Sequence, residues 1–245
     1  MHETYTLTEV RVDNYRTKTL IFDRQMLVQP GQFVMVWLPE VDEKPYSVAG
    51  GDPLALTVVA VGPFSEQLHR LQVGDRVWIR GPFGHGFRLP DSESSRRLLL
   101  VGGGYGVAPL HFLARKAIAA GHRVEICIGA RTEQDILLSD EFVREGVAVR
   151  VATEDGSRGA TGLITPVVDE AIHAETPDAV YGCGPNPMLS AVAVLSEAHG
   201  LPYQLSWEAH MRCGIGLCGA CEVHELEAEG WLACLDGPVA SSSIA

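Results

Sequence analysis

Apolar and polar positions alternate, or run in short β-branched blocks, through the first third of the chain. The stretches TYTLTEVRV, TKTLIFD, QFVMVWL, YSVAG, LALTVVAV and RVWIRG carry this pattern between residues 4 and 81. Turn chemistry separates them at Pro30-Gly31, Gly50-Gly51-Asp52-Pro53, Gly74-Asp75 and Gly81-Pro82. Only SEQLHRL, from residue 65, reads as a helical turn. Six short strands with so little helix predict an antiparallel β barrel over residues 1–97. The period changes after a polar linker, DSESSRR, at 91–97. LLLVGGG, RVEICIGAR, AVRVAT and DAVYGCG read as strands. APLHFLARKAIAAG, GLITPVVDEAIHA and NPMLSAVAVLSEAHG read as helices between them. Alternating strands and helices predict a doubly wound, mostly parallel α/β domain over 98–203. A small third segment, 204–245, opens with YQLSWEA, and its SSSIA tail is expected to fray.

Composition narrows the function classes. The chain has 245 residues, 46% of them hydrophobic, enough for two cores and an appendage. Its 19 basic and 31 acidic side chains give a net charge of −12, and the longest basic run is Arg96-Arg97, which argues against nucleic acid. No apolar run reaches the roughly 20 residues of a membrane span. The opening MHETYTLTEV lacks the pattern of a signal peptide. A cytoplasmic location is therefore expected, where thiols stay reduced and clustered cysteines point to metal before disulfide.

Four of the six cysteines, Cys213, Cys218, Cys221 and Cys234, share one glycine-rich stretch with the spacing C-x4-C-x2-C-x12-C. The opening C-x4-C-x2-C is the spacing of plant-type [2Fe–2S] proteins, in which two thiolates serve each iron. Gly214, Gly216, Gly219 and Ala220 leave room around bridging sulfides and let backbone N–H groups face sulfur. The last gap is shorter than in plant ferredoxins, so this is not simply an appended ferredoxin. Zinc is the alternative, although only Cys218 and Cys221 form a C-x2-C pair. Cys127 reads as a small buried hydrophobe.

Gly102, Gly103, Gly104 and Gly106 lie between a strand and a helix, where a dinucleotide pyrophosphate can approach backbone at a helix N-terminus. The fingerprint is imperfect, since its last glycine position holds Val107. The next strand ends at Arg131, followed by Glu133 and Asp135, which leaves NAD against NADP open. In YGCGPNPML, Cys183 stands between two glycines at the carboxyl edge of the sheet, where such folds bind ligands. In the barrel, KPYS (Lys44, Pro45, Tyr46, Ser47) offers a flat ring and groups that can meet phosphate, and Gly62 and Ser65 precede the helical turn.

With these motifs the chain resembles the ferredoxin reductase superfamily, and within it the electron-transfer subunits of dihydroorotate dehydrogenase B. KPYS is similar to the family's Arg-Pro-aromatic-Ser flavin motif, GPFGHGF to its Gly-Pro-x-Gly-x-Gly-Phe turn, and GGGYGVAPL and YGCGPNPML to its nicotinamide-side loops. CGIGLCGACEV…CLDGPV resembles its cluster loop. The resemblance implies FAD in the barrel (residues 1–97), NAD(H) on the α/β domain (98–203) and one [2Fe–2S] cluster in the last segment (204–245). It assigns flavin contacts to Lys44, Pro45, Tyr46, Ser47, Val59, Val61, Gly62, Phe64 and Ser65. It assigns nucleotide contacts to Gly102, Gly103, Gly104, Tyr105, Gly106, Gly184, Pro185 and Met188. Cys183 is placed beside the nicotinamide as the catalytic position, shaping that pocket rather than acting as a nucleophile. The four clustered cysteines become the iron ligands. The implied partner is an FMN-containing subunit that oxidises dihydroorotate for pyrimidine synthesis, in a two-by-two assembly, with electrons reaching NAD⁺ through cluster and FAD. Two departures stand out: Lys44 replaces an arginine, and Ala240 follows Val239 where the family commonly has phenylalanine. The rival readings are a reductase subunit of a sulfhydrogenase or transhydrogenase type, and a non-catalytic zinc or redox-sensing module.

Overall fold

The first six strands close on themselves. β1 (Glu3–Asn14), β2 (Thr17–Phe22), β3 (Phe33–Leu38), β4 (Asp42–Gly51), β5 (Leu54–Val59) and β6 (Arg76–Phe83) form a barrel in the order β1-β2-β5-β4-β3-β6, all neighbours antiparallel. The sequence alternation is the reason: in β5, Leu54, Leu56 and Val58 turn inward and their neighbours do not. They meet Leu7, Leu20, Val34, Val36 and Ile79 in one apolar core. Helix α1 (Pro63–Arg70) crosses after β5. The computed structural model describes residues 1–91, 94–226 and 229–242. Residues 92 and 93 of the expected linker and the last three residues of the tail lie outside these.

The second unit is a seven-stranded sheet. β7 (Arg97–Gly103), β8 (Arg123–Ala130), β9 (Ala148–Thr153), β10 (Ala160–Thr161), β11 (Ala179–Cys183), β12 (Tyr203–Ser206) and β13 (Val239–Ser241) run in the order β10-β9-β8-β7-β11-β12-β13. All pairs are parallel except β12 with β13. β7 is buried along its whole length because both faces are covered. Leu98 and Leu100 meet α2 (Val107–Ala119) and α3 (Ser139–Arg144) on one side. Leu99 and Val101 meet α4 (Thr165–Ala174) and α5 (Asn186–Ala198) on the other.

Two features tie the units together. Phe112 of α2 inserts into the barrel core. The cysteine segment packs between barrel and sheet: Cys221, Val223, Trp231, Ala233 and Cys234 share a core with Phe33 and Met35 of β3 and with Leu205 of β12. Both flanks of that segment, β12 and β13, belong to the seven-stranded sheet. No helix among the described residues is long and apolar enough to cross a membrane.

Candidate functional site

The larger of two adjoining cavities, of about 1070 Å³, opens between barrel and sheet. All nine residues assigned to the flavin line it: Lys44 to Ser47 from β4, Val59 and Val61 from the end of β5, and Gly62, Phe64 and Ser65 at the start of α1. Tyr46 stacks on Phe64, with centroids 6.2 Å apart and planes tilted 26°, and burial pushes its hydroxyl pKa up. The pair makes a flat apolar wall. Ser65 is committed locally. Its Oγ accepts from the Val61 and Gly62 N–H groups at 2.9 and 3.1 Å and donates to the Gly62 carbonyl at 2.9 Å. What it leaves for a ligand are the first-turn N–H groups of Phe64 and Ser65, which have no helical acceptor. Nothing lies within 4 Å of where a Cβ on Gly62 would sit, so the backbone there is open to an approaching phosphate. Lys44 pairs with exposed Asp42 at 2.6 Å, which holds its ammonium at the cavity rim. Trp207, whose buried indole N–H has no hydrogen-bond partner among the described residues, also lines the cavity. Volume, flat wall, open backbone and an unused donor fit a bound dinucleotide flavin.

The smaller cavity, about 420 Å³, continues from it; Val59, Tyr105, Pro185 and Pro187 line both. Gly103, Gly104, Tyr105, Pro185 and Met188 face the smaller space, and Gly106 and Cys183 the larger. Gly102 and Gly184 are on neither wall. A Cβ on Gly102 would meet Val107 at 2.8 Å, and one on Gly184 would meet Met188 at 2.8 Å, so close packing explains both glycines. Cys183 ends β11, and burial pushes its thiol up to about 12. A thiol held protonated is a compact wall rather than a nucleophile. Cys127 is fully buried in the sheet core, as expected, with its thiol also raised to about 12 by burial.

Arg131 and Asp135 are expected beside the nucleotide from the sequence, but their barrel partners are not. Asp135, buried after β8, accepts from the Tyr15 hydroxyl at 2.8 Å and Arg16 Nη2 at 2.6 Å, both in the barrel's β1–β2 turn. Arg131 approaches its other oxygen at 3.3 Å. Arg16, Arg131, Asp135 and Glu154 all line this cavity.

The cysteine segment begins at the larger cavity, where His210 and Met211 form part of the wall. Arg80 of β6 grips Glu43 through two 2.7 Å bonds and donates to the Cys213 carbonyl at 2.8 Å, fixing the first cysteine to the barrel. Gly214 and Gly216 take positive φ of 71° and 76°, which turns the chain back on itself. The Ile215 N–H faces Cys213 Sγ at 3.5 Å, and the Gly216 N–H faces Cys234 Sγ at 3.1 Å. The Ile215 N–H, with further N–H groups of the loop, lowers the Cys213 thiol to about 6, whereas burial raises Cys234 to about 12. Cys218 is exposed and Cys221 buried. Among the described residues, the one set of three or more His, Cys, Asp or Glu donors lying within 4.8 Å of one another is elsewhere. The four sulfurs are thus spread wider than one tetrahedral zinc requires, and wider spacing with N–H···S contacts suits a two-iron cluster.

Barrel, nucleotide sheet and cysteine loop together define a ferredoxin-reductase-type oxidoreductase component carrying sites for FAD, NAD and an iron–sulfur cluster. Residues 208–243 match the iron-sulfur cluster binding domain of dihydroorotate dehydrogenase B, and residues 100–193 an oxidoreductase NAD-binding domain. A Thermococcus kodakarensis protein is 39% identical over 98% of this chain and 96% of its own length; a Methanothermobacter thermautotrophicus protein is 41% identical over 91% and 82%. Both are named "Probable dihydroorotate dehydrogenase B (NAD(+)), electron transfer subunit". The chain belongs to this family of dihydroorotate dehydrogenase B electron transfer subunits. Among solved structures, one of an NADH-dependent reduced ferredoxin-NADP oxidoreductase superposes with a TM-score of 0.85 at 26% identity, covering 98% of this chain and 88% of the other. The ferredoxin reductase of carbazole 1,9a-dioxygenase shares the fold, with a TM-score of 0.70 over 82% of this chain and 66% of its own.

Proposed function

We propose that this chain is the electron transfer subunit of an NAD-dependent dihydroorotate dehydrogenase. It works in the cytoplasm in pyrimidine biosynthesis, with an FMN-bearing catalytic subunit in a two-by-two assembly. One observation carries the reading: the three candidate sites lie in series. The smaller cavity shares walls with the larger, and the larger is bounded by the residues that open the cysteine segment. Bound FAD supplies the exchange between hydride and single-electron transfer, and a [2Fe–2S] cluster relays single electrons. The chain's residues set the geometry. Tyr46 and Phe64 offer the flavin ring a wall, Lys44 and the α1 first turn meet its diphosphate, and Gly103 to Gly106 with Pro185 and Met188 receive the nicotinamide nucleotide. Cys183 keeps the space between the rings narrow and uncharged. Cys213, Cys218, Cys221 and Cys234 supply four thiolates, and six unpaired cysteines suit a reducing compartment. The test is reconstitution: the anaerobic protein with its partner subunit should reduce NAD⁺ when dihydroorotate is added. If instead only NADPH and ferredoxin exchange electrons with it, the transhydrogenase-type reading takes over, in line with the 26% identical structure.

The smaller cavity also supports NAD over NADP. Its two guanidinium groups are both engaged by Asp135, and Glu154 adds a second negative charge. Among the described residues that line it, both cations thus already face a carboxylate, which opposes a 2′-phosphate. Asp135→Asn releases Arg16 and Arg131, each of which could form a charge-assisted bond of about 1.5–3 kcal/mol with phosphate. The expected outcome is a roughly tenfold or greater gain in 2′-AMP binding relative to 5′-AMP by calorimetry. An unchanged ratio would remove Asp135 from cofactor choice.

A further inference from the structure

We propose that Asp169, His173 and His199 form a binding site for a divalent transition-metal cation of the zinc type, on the face of the α/β domain away from both cavities. The three residues are the only His, Cys, Asp or Glu set among the described residues whose donor atoms lie within 4.8 Å of one another. Asp169 and His173 are four residues apart on α4, hence on one helix face. His199 caps the C-terminus of α5. Asp169 Oδ1 lies 2.9 Å from His199 Nε2 and 3.3 Å from His173 Nδ1, and the two imidazoles meet edge to face with centroids 4.9 Å apart. Metal–nitrogen bonds of about 2.0–2.1 Å place tetrahedral donors about 3.3 Å apart, so two of the three separations already suit a shared ion. His173 Nδ1 also lies 2.9 Å from the Asp169 carbonyl, so an ion at that nitrogen takes the place of its proton.

The electrostatics favour a cation there for a reason independent of the side chains. His173 is in the last turn of α4 and His199 ends α5, so two helix C-termini, each with the partial negative charge of its dipole, converge on the carboxylate. Two imidazoles with one carboxylate select zinc, nickel or copper over magnesium or calcium, which prefer all-oxygen sites. His173 is exposed, so water completes the coordination. The site would join two helices at one end. Their opposite ends, at Thr165 of α4 and at Pro187 and Met188 of α5, line the smaller cavity, about 12 Å away along α4 and about 18 Å along α5.

The test uses the holoprotein, with flavin and cluster loaded, stripped of loose metal by EDTA and titrated with Zn²⁺ by calorimetry. We expect one equivalent to bind, with a rise in thermal midpoint and no change in the visible cluster spectrum. His173→Ala with His199→Ala should weaken binding by at least about tenfold, the least that disturbing even an outer-shell partner costs, and should abolish the thermal shift. Asp169→Asn is the second variant, should the double variant fold poorly in EDTA. Equal binding by the wild type and by either folded variant, or Zn²⁺ uptake seen only with bleaching of the cluster, would overturn the assignment.

Discussion

Replacing Cys218 by serine will cut electron flow beyond the flavin while leaving the fold and the flavin in place. Cys218 is the exposed member of the tetrad, whereas Cys221 and Cys234 help to fill the core beneath the loop. An exposed conservative change normally stays within about 0.5 kcal/mol in stability, so what is lost is a ligand and not the scaffold. A [2Fe–2S] cluster needs two thiolates on each iron, and a single missing sulfur leaves one iron half held. Iron content and long-wavelength absorption should therefore fall sharply, while NADH still bleaches the flavin band. Dihydroorotate-driven NAD⁺ reduction with the partner should drop by more than the roughly 10–100-fold that disturbing an outer-shell partner costs. Cys127→Ala is the contrast. It opens a small void in the sheet core and lowers the melting temperature, yet keeps iron and turnover. Full iron and full rate in Cys218→Ser would transfer the cluster assignment elsewhere. Stoichiometric zinc in the wild type would replace it with a structural site.

Local periodicity made most of the fold legible in the sequence. The barrel was legible because β5 and its neighbours alternate inward and outward residues, a local consequence of the pleat. The parallel sheet was legible from LLLV, whose unbroken apolar run needs cover on two faces. The six-residue α3, the two-residue β10 and the three-residue β13 were not, because each is too short for a period to show. β13 exists only because the chain, having made the cysteine loop, returns beside β12, with Trp207 N–H bonded to the Pro238 carbonyl. In the site, the cysteine spacing pointed to cluster chemistry because all four proposed ligands lie within one segment. Asp135 and Tyr15 are 120 residues apart, and no local pattern links them. Glycine was the ambiguous signal. Gly104 faces a cavity with open space around it, whereas a Cβ on Gly102, Gly103 or Gly184 would meet neighbouring atoms at 2.8 Å, although Gly103 also lines the cavity.

That distinction makes Gly106→Ala the more damaging of the glycine changes. Gly106 has ordinary right-handed helical angles, φ −61° and ψ −13°, so alanine is not excluded by backbone conformation. It is excluded by approach: an added Cβ would stand 2.3 Å from the Cys183 carbonyl oxygen, 2.5 Å from its carbon and 2.7 Å from the Gly184 nitrogen. All three are backbone atoms, so no rotamer change relieves the contact, and the turn entering α2 must move away from the end of β11. Overpacking of this kind costs about 1–3 kcal/mol in stability. The functional cost is larger, because those two segments carry the facing walls of the proposed nicotinamide site, with Tyr105 on one and Cys183 and Pro185 on the other. A displacement of about 1 Å between reacting groups can lower a rate by about 100-fold. NADH reduction of the flavin, followed by stopped-flow absorbance, should slow by that order while iron content and flavin occupancy stay at wild-type levels. Gly104→Ala is the control. Its φ of +53° strains a side chain, but no atom of the described residues crowds it, so it should cost about 1 kcal/mol in stability and raise the NADH concentration needed, while the flavin reduction rate at saturating NADH falls much less. Equal rates in both variants would mean that the gap between Gly106 and Cys183 does not set the hydride distance.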